Sequence, residues 1–216
     1  MHFYDLSQPI ESGMPIFPGD PEPVIQLAEG ALPPWRVSSL HIGSHTGTHI
    51  DAAAHFFAQG TTIDQYPLER FILTGVCISI EGLDPDQPLT SEPFDEIGVH
   101  ISKGGAVLIR TGWDRYWGQE AYLHHPYLTL QAANRLVLAG VGLVGIDALN
   151  VDSTTHGTDD VHQVLLRADT MIVENLRGLE QLEPGTKYHF SFLPLKLRDL
   201  DGSPIRAVAW REGEGV

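Results

Sequence analysis

Apolar residues run in short stretches along this chain, and few of them repeat at helical spacing. Residues 3–8 alternate apolar with polar and read as a short strand, and Trp35 to Ile42 does the same. Phe71 to Ile80 reads as a buried strand, and Ala106 to Arg110 as another that ends at Thr111-Gly112. Leu143 to Ile146, ending at Asp147, and Thr170 to Val173 are further short strands. Tyr188 to Leu195 and Ile205 to Trp210 complete the set. Helical spacing occurs twice. Leu130, Ala133, Leu136 and Leu138 follow Thr129, whose hydroxyl suits an N-cap, and the run stops at Gly140. A second helical segment spans Asp160 to Ala168. Residues 13–23 hold Pro15, Pro18, Gly19, Asp20, Pro21 and Pro23 and read as a rigid loop. Strands outnumber helices and follow no regular βαβ order. The pattern predicts a mixed α/β fold with substantial antiparallel sheet.

Composition narrows the class. A chain of 216 residues suits a single domain spanning 1–216. A hydrophobic share of 42% and a mean hydropathy of -0.07 describe a globule able to bury a core. The 22 glycines and 15 prolines point to many turns. The one cysteine, Cys77, excludes an intrachain disulfide and lies in an apolar run, so it is expected in the core. The N-terminal Met-His-Phe-Tyr-Asp-Leu-Ser lacks the basic and apolar regions of a signal peptide. No apolar run approaches the ~20 residues needed to span a bilayer. These features predict a cytoplasmic protein with no membrane partner. With 28 acidic against 13 basic residues, the net charge of -15 would repel a phosphate backbone, which argues against nucleic-acid partners.

Chemistry concentrates in one stretch. His41, His45, His49 and His55 are four of the chain's 11 histidines, and Asp51 lies among them. The i, i+4 spacing of His45 and His49 would fit a helix face, but Gly43, Gly47, Thr46, Thr48 and Ile50 make a poor helix. Read as extended chain, the five residues share odd numbering and hence one face of a strand. Imidazoles with a carboxylate suit zinc, manganese or iron(II). Gly43-Ser44-His45-Thr46-Gly47 is no nucleophile elbow, because Ser44 is not its central residue.

His45-Thr46-Gly47-Thr48-His49-Ile50-Asp51, with His55 four residues later, resembles the signature H-x-G-T-H-x-D-x-P-x-H of the cyclase family. That family includes bacterial kynurenine formamidases and isatin hydrolases. Met14 to Pro21 resembles its N-terminal loop, and Gly145-Ile146-Asp147 its central strand end. His162-Gln163-Val164-Leu165-Leu166 and Val173-Glu174-Asn175-Leu176 resemble its second ligand region. Leu193 to Lys196 and Gly202 to Val208 resemble its C-terminal strands, so the likeness runs in order over nearly the whole chain.

The resemblance implies a swivelling β/β/α fold and a homodimer or homotetramer. It implies His45, His49 and Asp51 as metal ligands, with His162 and Glu174 completing a two-metal site bridged by Asp51 and Glu174. His55 would be the general acid/base. Zinc, as one or two ions, is the expected cofactor, with manganese as the alternative. The implied reaction is hydrolysis of a small amide such as N-formylkynurenine by metal-activated water. Two readings compete with it. One is an isatin-type or lactone ring-opening hydrolase with one manganese. The other is a metal-stabilised binding protein without chemistry. Ala53 departs from the signature proline, and Phe17 stands where the formamidases often carry tryptophan in the substrate pocket. His41 would stand behind a ligand or be structural. His156 could face the cleft, whereas His124-His125 reads as loop. Trp113, Tyr116 and Trp117 would wall a pocket or belong to the core.

Overall fold

The computed structural model describes residues 2–30, 33–80, 82–95 and 102–211. Its strands, in chain order, are β1 (Phe3–Asp5), β2 (Val24–Leu27), β3 (Ser38–His41), β4 (His49–Asp51), β5 (Ile72–Ser79), β6 (Pro88–Leu89) and β7 (Ala106–Arg110). They continue with β8 (Tyr127–Leu128), β9 (Leu143–Ile146), β10 (Met171–Glu174), β11 (Lys187–Ser191), β12 (Gly202–Pro204) and β13 (Val208–Trp210). The α-helices are α1 (Leu130–Leu138) and α2 (Asp160–Arg167). Thr129 caps α1 as its sequence suggests, its hydroxyl accepting the Ala132 N–H at 3.2 Å.

One sheet of nine strands, in the order β1-β13-β11-β5-β7-β9-β10-β4-β12, organises the molecule. The contacts β5/β7, β7/β9 and β9/β10 are parallel and the other five are antiparallel. The expected mixed α/β fold with a largely antiparallel sheet is therefore present, around a parallel centre. Side-chain alternation explains why the central strands are apolar throughout. Val107, Ile109, Val144, Ile146 and Ile172 face one core, which α1 and α2 complete with Ala132, Ala133, Leu136, Val161 and Leu165. Ala106, Leu108, Leu143, Met171 and Val173 face the other. The sheet curls, so that second core gathers Ile50 of β4 together with Tyr188 and Phe190 of β11 and Ala209 of β13. Cys77 is buried there, and burial pushes its thiol up to about 12, so it is inert core.

The parallel centre is tight. A methyl group on Gly75 of β5 would overlap the Ala106 carbonyl of β7. Gly75→Ala is expected to cost about 1–3 kcal/mol by overpacking. Thermal melts should show a Tm lower by roughly 2–12 °C for a chain of this size.

Several boundaries differ from the sequence pattern. The strand expected over Trp35 to Ile42 is confined to Ser38–His41, and it pairs with Val24–Leu27, which the pattern did not mark. This hairpin stands apart from the main sheet, and all four β3 residues are exposed. Alternation there does not report burial, because neither face packs on the core. Gly202–Pro204 forms a strand on β4, within the segment likened to the family's C-terminal strands, although its glycine and proline leave no apolar pattern. As an edge strand it tolerates Pro204. Ile205 only makes an isolated bridge to Pro194, so the last strand is shorter than expected. Among the described residues no helix is long and apolar enough to cross a membrane.

Candidate metal centre

β4 pairs with β10 on one side and β12 on the other, with Glu174 opposite His49, Ile172 opposite Asp51 and Gly202 opposite Asp51. Residues far apart in sequence thus meet at adjacent strand positions. The same-face reading of the histidine stretch holds only for His49 and Asp51, which lie two apart on β4. His45 sits in the preceding turn, and His55 in a 3-10 turn over Ala53–His55 whose N–H reaches back to Ala52 O at 3.0 Å. Turns bring them in where a continuous strand of this length would have carried them ~33 Å apart.

His49 and His162 each have one ring nitrogen occupied. His49 Nδ1 donates to the Gly47 carbonyl at 2.8 Å, which turns Nε2 inward. His162 Nδ1 bonds Asp152 Oδ2 at 2.8 Å, and Asp152 also accepts the Val161 and His162 backbone N–H groups at the start of α2. Between the two inward Nε2 atoms lie the carboxylates of Asp51 and Glu174. His49 Nε2 is 3.4 Å from Asp51 Oδ1 and 3.5 Å from Glu174 Oε2. His162 Nε2 is 3.5 Å from Asp51 Oδ2 and 3.5 Å from Glu174 Oε1. Glu174 Oε1 is steadied by the Val151 N–H at 2.9 Å.

These separations are long for charge-assisted hydrogen bonds, which favour ~2.7–2.9 Å. They match two ligands of one tetrahedral cation, since bonds of about 2.1 Å place neighbouring donors ~3.4 Å apart. Asp51 is completely buried, and its Oδ2 is the sole buried side-chain polar atom among the described residues with no hydrogen-bond partner. An unpaired buried carboxylate oxygen is costly, and a cation would satisfy it. The donor atoms of His45, His49 and Asp51 form one group spanning at most 4.8 Å, and those of Asp51, His162 and Glu174 form another. The donor set therefore fits a metal ion, with Asp51 common to both groups and Glu174 turning one oxygen toward each inward histidine.

The charges are strongly interdependent. Burial opposes a charge on His45, yet Asp51 and Asp201 outweigh it and push its pKa up to about 10. Burial opposes charge on His162 likewise, and Asp152, Asp51 and Glu174 push it up to about 10. Asp51 is held well below the usual carboxylate range in spite of burial, through His45 and His49. A metal ion binds imidazole only in its neutral form, so a proton and a cation would compete for His45 and His162.

The centre opens into a cavity of about 340 Å³. Ile16, Phe17, Phe56 and Leu149 give it apolar walls, and His45, His49, His55, His162 and Glu174 lie on it. Phe17 is among its lining residues, whereas His41 is exposed on the hairpin opposite Val24. His156 is also exposed and bonds Ser153 Oγ at 2.8 Å, while its neighbours Gly157, Thr158 and Asp159 line the cavity. His125 is a buried structural residue, bonded to Pro126 O and Thr154 Oγ1. Trp113 belongs to the core and Trp117 lines a different cavity, so neither walls this one. Asp147, at the end of β9, accepts both Thr111 donors and the Gly112 N–H, and burial pushes it up to about 7.

Sequence reasoning missed three residues. Asp152 orients His162, and Asp201 bonds both His45 Nε2 and His55 Nδ1. Asn175, with a left-handed φ of 57°, donates to Gly47 O and accepts from the Tyr122 hydroxyl, so it supports the loop that orients His49. No spacing rule connects these residues to their partners. The only available hint was that acids sit in turns flanking the histidine segments.

Comparison with known proteins agrees with this geometry. The family model described as "Putative cyclase" matches residues 4–153. The kynurenine formamidase of Bordetella avium is 35% identical over 211 residues, covering 95% of this chain and 96% of that one. The kynurenine formamidase of Paracidovorax citrulli is 35% identical over 214 residues, covering 95% and 94%. Isatin hydrolase A from Ralstonia solanacearum has a similar structure, with a TM-score of 0.85, 25% identity and coverage of 96% and 91%. A potential metal-dependent hydrolase with cyclase activity superposes with a TM-score of 0.81 at 25% identity, covering 96% of each chain. With a family model spanning more than half its length and relatives alike from end to end, the chain belongs to the cyclase family.

Proposed function

We propose that this protein is a metal-dependent amidohydrolase that cleaves a small amide such as N-formylkynurenine at a two-zinc centre. The observation that carries the reading is the set of four near-equal separations from His49 Nε2 and His162 Nε2 to the oxygens of Asp51 and Glu174. His45, His49 and Asp51 would hold one ion, and Asp51, His162 and Glu174 the other. Bound there, a divalent cation would supply Lewis acidity and lower the pKa of water to roughly 7.

The chain's own groups do the rest. His55 lines the cavity beside the candidate ligands, and Asp201 occupies its Nδ1. Its Nε2 is thereby left to take a proton from the attacking water and pass it to the leaving nitrogen. Water adds to the carbonyl carbon, the C–N bond breaks, and a formyl amide yields formate and a free amine. Phe17 and Phe56 offer apolar faces to an aryl portion of the substrate. The relatives named kynurenine formamidase support this substrate class.

Protein stripped of metal and reloaded with zinc or manganese is expected to regain N-formylkynurenine hydrolysis, with zinc the better ion. No turnover with either ion would sink the formamidase reading. The isatin hydrolase likeness supports a second reading, ring opening with one manganese. Glu174→Gln separates the two. Under the two-zinc reading it should lower kcat by more than the ~10–100-fold that even an outer partner of a ligand costs. Under the single-metal reading turnover should hardly change. The hairpin leaves Leu27, Trp35, Val37 and Leu40 exposed on or beside it, surface that a homodimer or homotetramer would cover. Light scattering measures that assembly directly.

A further inference from the structure

We propose that Asp201 is a shared positioning residue, one carboxylate that orients both the metal-ligand ring of His45 and the proton-transfer ring of His55. Its Oδ2 lies 2.8 Å from His45 Nε2 and 3.2 Å from His55 Nδ1. The two rings lie side by side with centroids 4.1 Å apart, tilted by 41°. A carboxylate only accepts, so each ring must present an N–H to it. These bonds set how each ring is turned: His45 points Nδ1 at Asp51 Oδ1, 2.7 Å away, and His55 turns Nε2 away from Asp201.

The backbone places Asp201 with the same care as the ligands. Its carbonyl accepts the Ala52 N–H at 2.9 Å, one residue beyond Asp51. The next residue, Gly202, is paired with Asp51 across β4 and β12. A side chain on Gly202 would meet His45 Cε1 at 2.8 Å and the Ile50 carbonyl at 2.9 Å, so the missing Cβ makes room for the His45 ring. Asp201-Gly202 thus works as one seat: glycine clears the space and aspartate holds the ring in it. Outer partners of this kind set the orientation of metal-bound imidazoles. What this structure adds is that the same oxygen also serves the acid/base.

The inference rests on the metal-hydrolase reading of this site, and its test has one arm that needs no substrate. Zinc affinity is measured by competition with a chromogenic chelator, for the unchanged protein, Asp201→Asn and Asp201→Ala. The Asn variant keeps the shape should the Ala variant fail to fold. Affinity is expected to fall about 10–100-fold on losing Asp201. The second arm is kcat at saturating zinc, measured in a cycle with His55→Ala. Asp201→Asn should lower kcat about 10-fold or more alone and have little further effect once His55 is gone, because both changes remove one function. Unchanged zinc affinity together with additive effects on kcat would overturn the proposal. So would the loss of one whole zinc equivalent with the rest bound as before, since His45, His55 and Asp201 also lie close enough to hold an ion and Asp201 would then be a ligand. A wrong substrate assignment would silence only the kcat arm, whereas a wrong positioning role would leave zinc affinity untouched.

Discussion

Asp51→Asn is expected to abolish zinc binding and to lower kcat/KM by roughly 10⁴-fold or more, a loss of about 5.4 kcal/mol of transition-state stabilisation. Asp51 has 0% exposure and stands among three imidazoles, with one oxygen toward His45 and His49 and the other toward His162. An amide of the same shape removes the negative charge and replaces one donor oxygen with an NH₂ group that cannot bind a cation. Both halves of the centre are damaged by one substitution. Thermal shift provides an independent reading. Zinc at about 1,000 times its Kd should stabilise the unchanged protein by ~4 kcal/mol, or roughly 8–16 °C in Tm, and should leave Asp51→Asn unmoved. Full activity in that variant would remove Asp51 from the centre.

His55→Ala should behave in the opposite way toward the metal. Its ring lies on the cavity, and its Nδ1 bonds Asp201 and no carboxylate of the two ligand groups. The zinc-dependent rise in Tm should persist, while kcat falls by the ~10²–10⁴-fold that a positioned acid/base contributes. KM should change little, because the proton transfer belongs to the transition state and not to substrate binding. Loss of zinc along with activity would make His55 a ligand and hand its proton-transfer role to another group.

Four of the candidate residues were legible because they lie close together along the chain. His45, His49, Asp51 and His55 fall within eleven residues, and a β4 strand of three residues flanked by two turns is enough to gather them. His162 and Glu174 came from family likeness alone. They lie on α2 and β10, more than a hundred residues away, and nothing in their spacing announces that β10 runs beside β4.

Element types were legible wherever burial left an imprint on composition. β7 and β9 match the apolar runs residue for residue, because both faces of each are covered by core. β2 left no such mark, since it buries neither face, and β12, made of Gly-Ser-Pro, was visible only through family likeness.

Along the chain alone one could read a cluster of imidazoles and a carboxylate suited to a metal ion, the apolar strands of the two cores and the capped helix after Thr129. Those depend on residue type and on neighbours a few positions away. Which acids serve which histidines was settled by the folded chain. Asp152 meets His162 across ten residues and Asp201 meets His45 across 156. Contacts of that kind come from strand order and register, which are settled by packing of the whole sheet and leave no periodic trace along the chain.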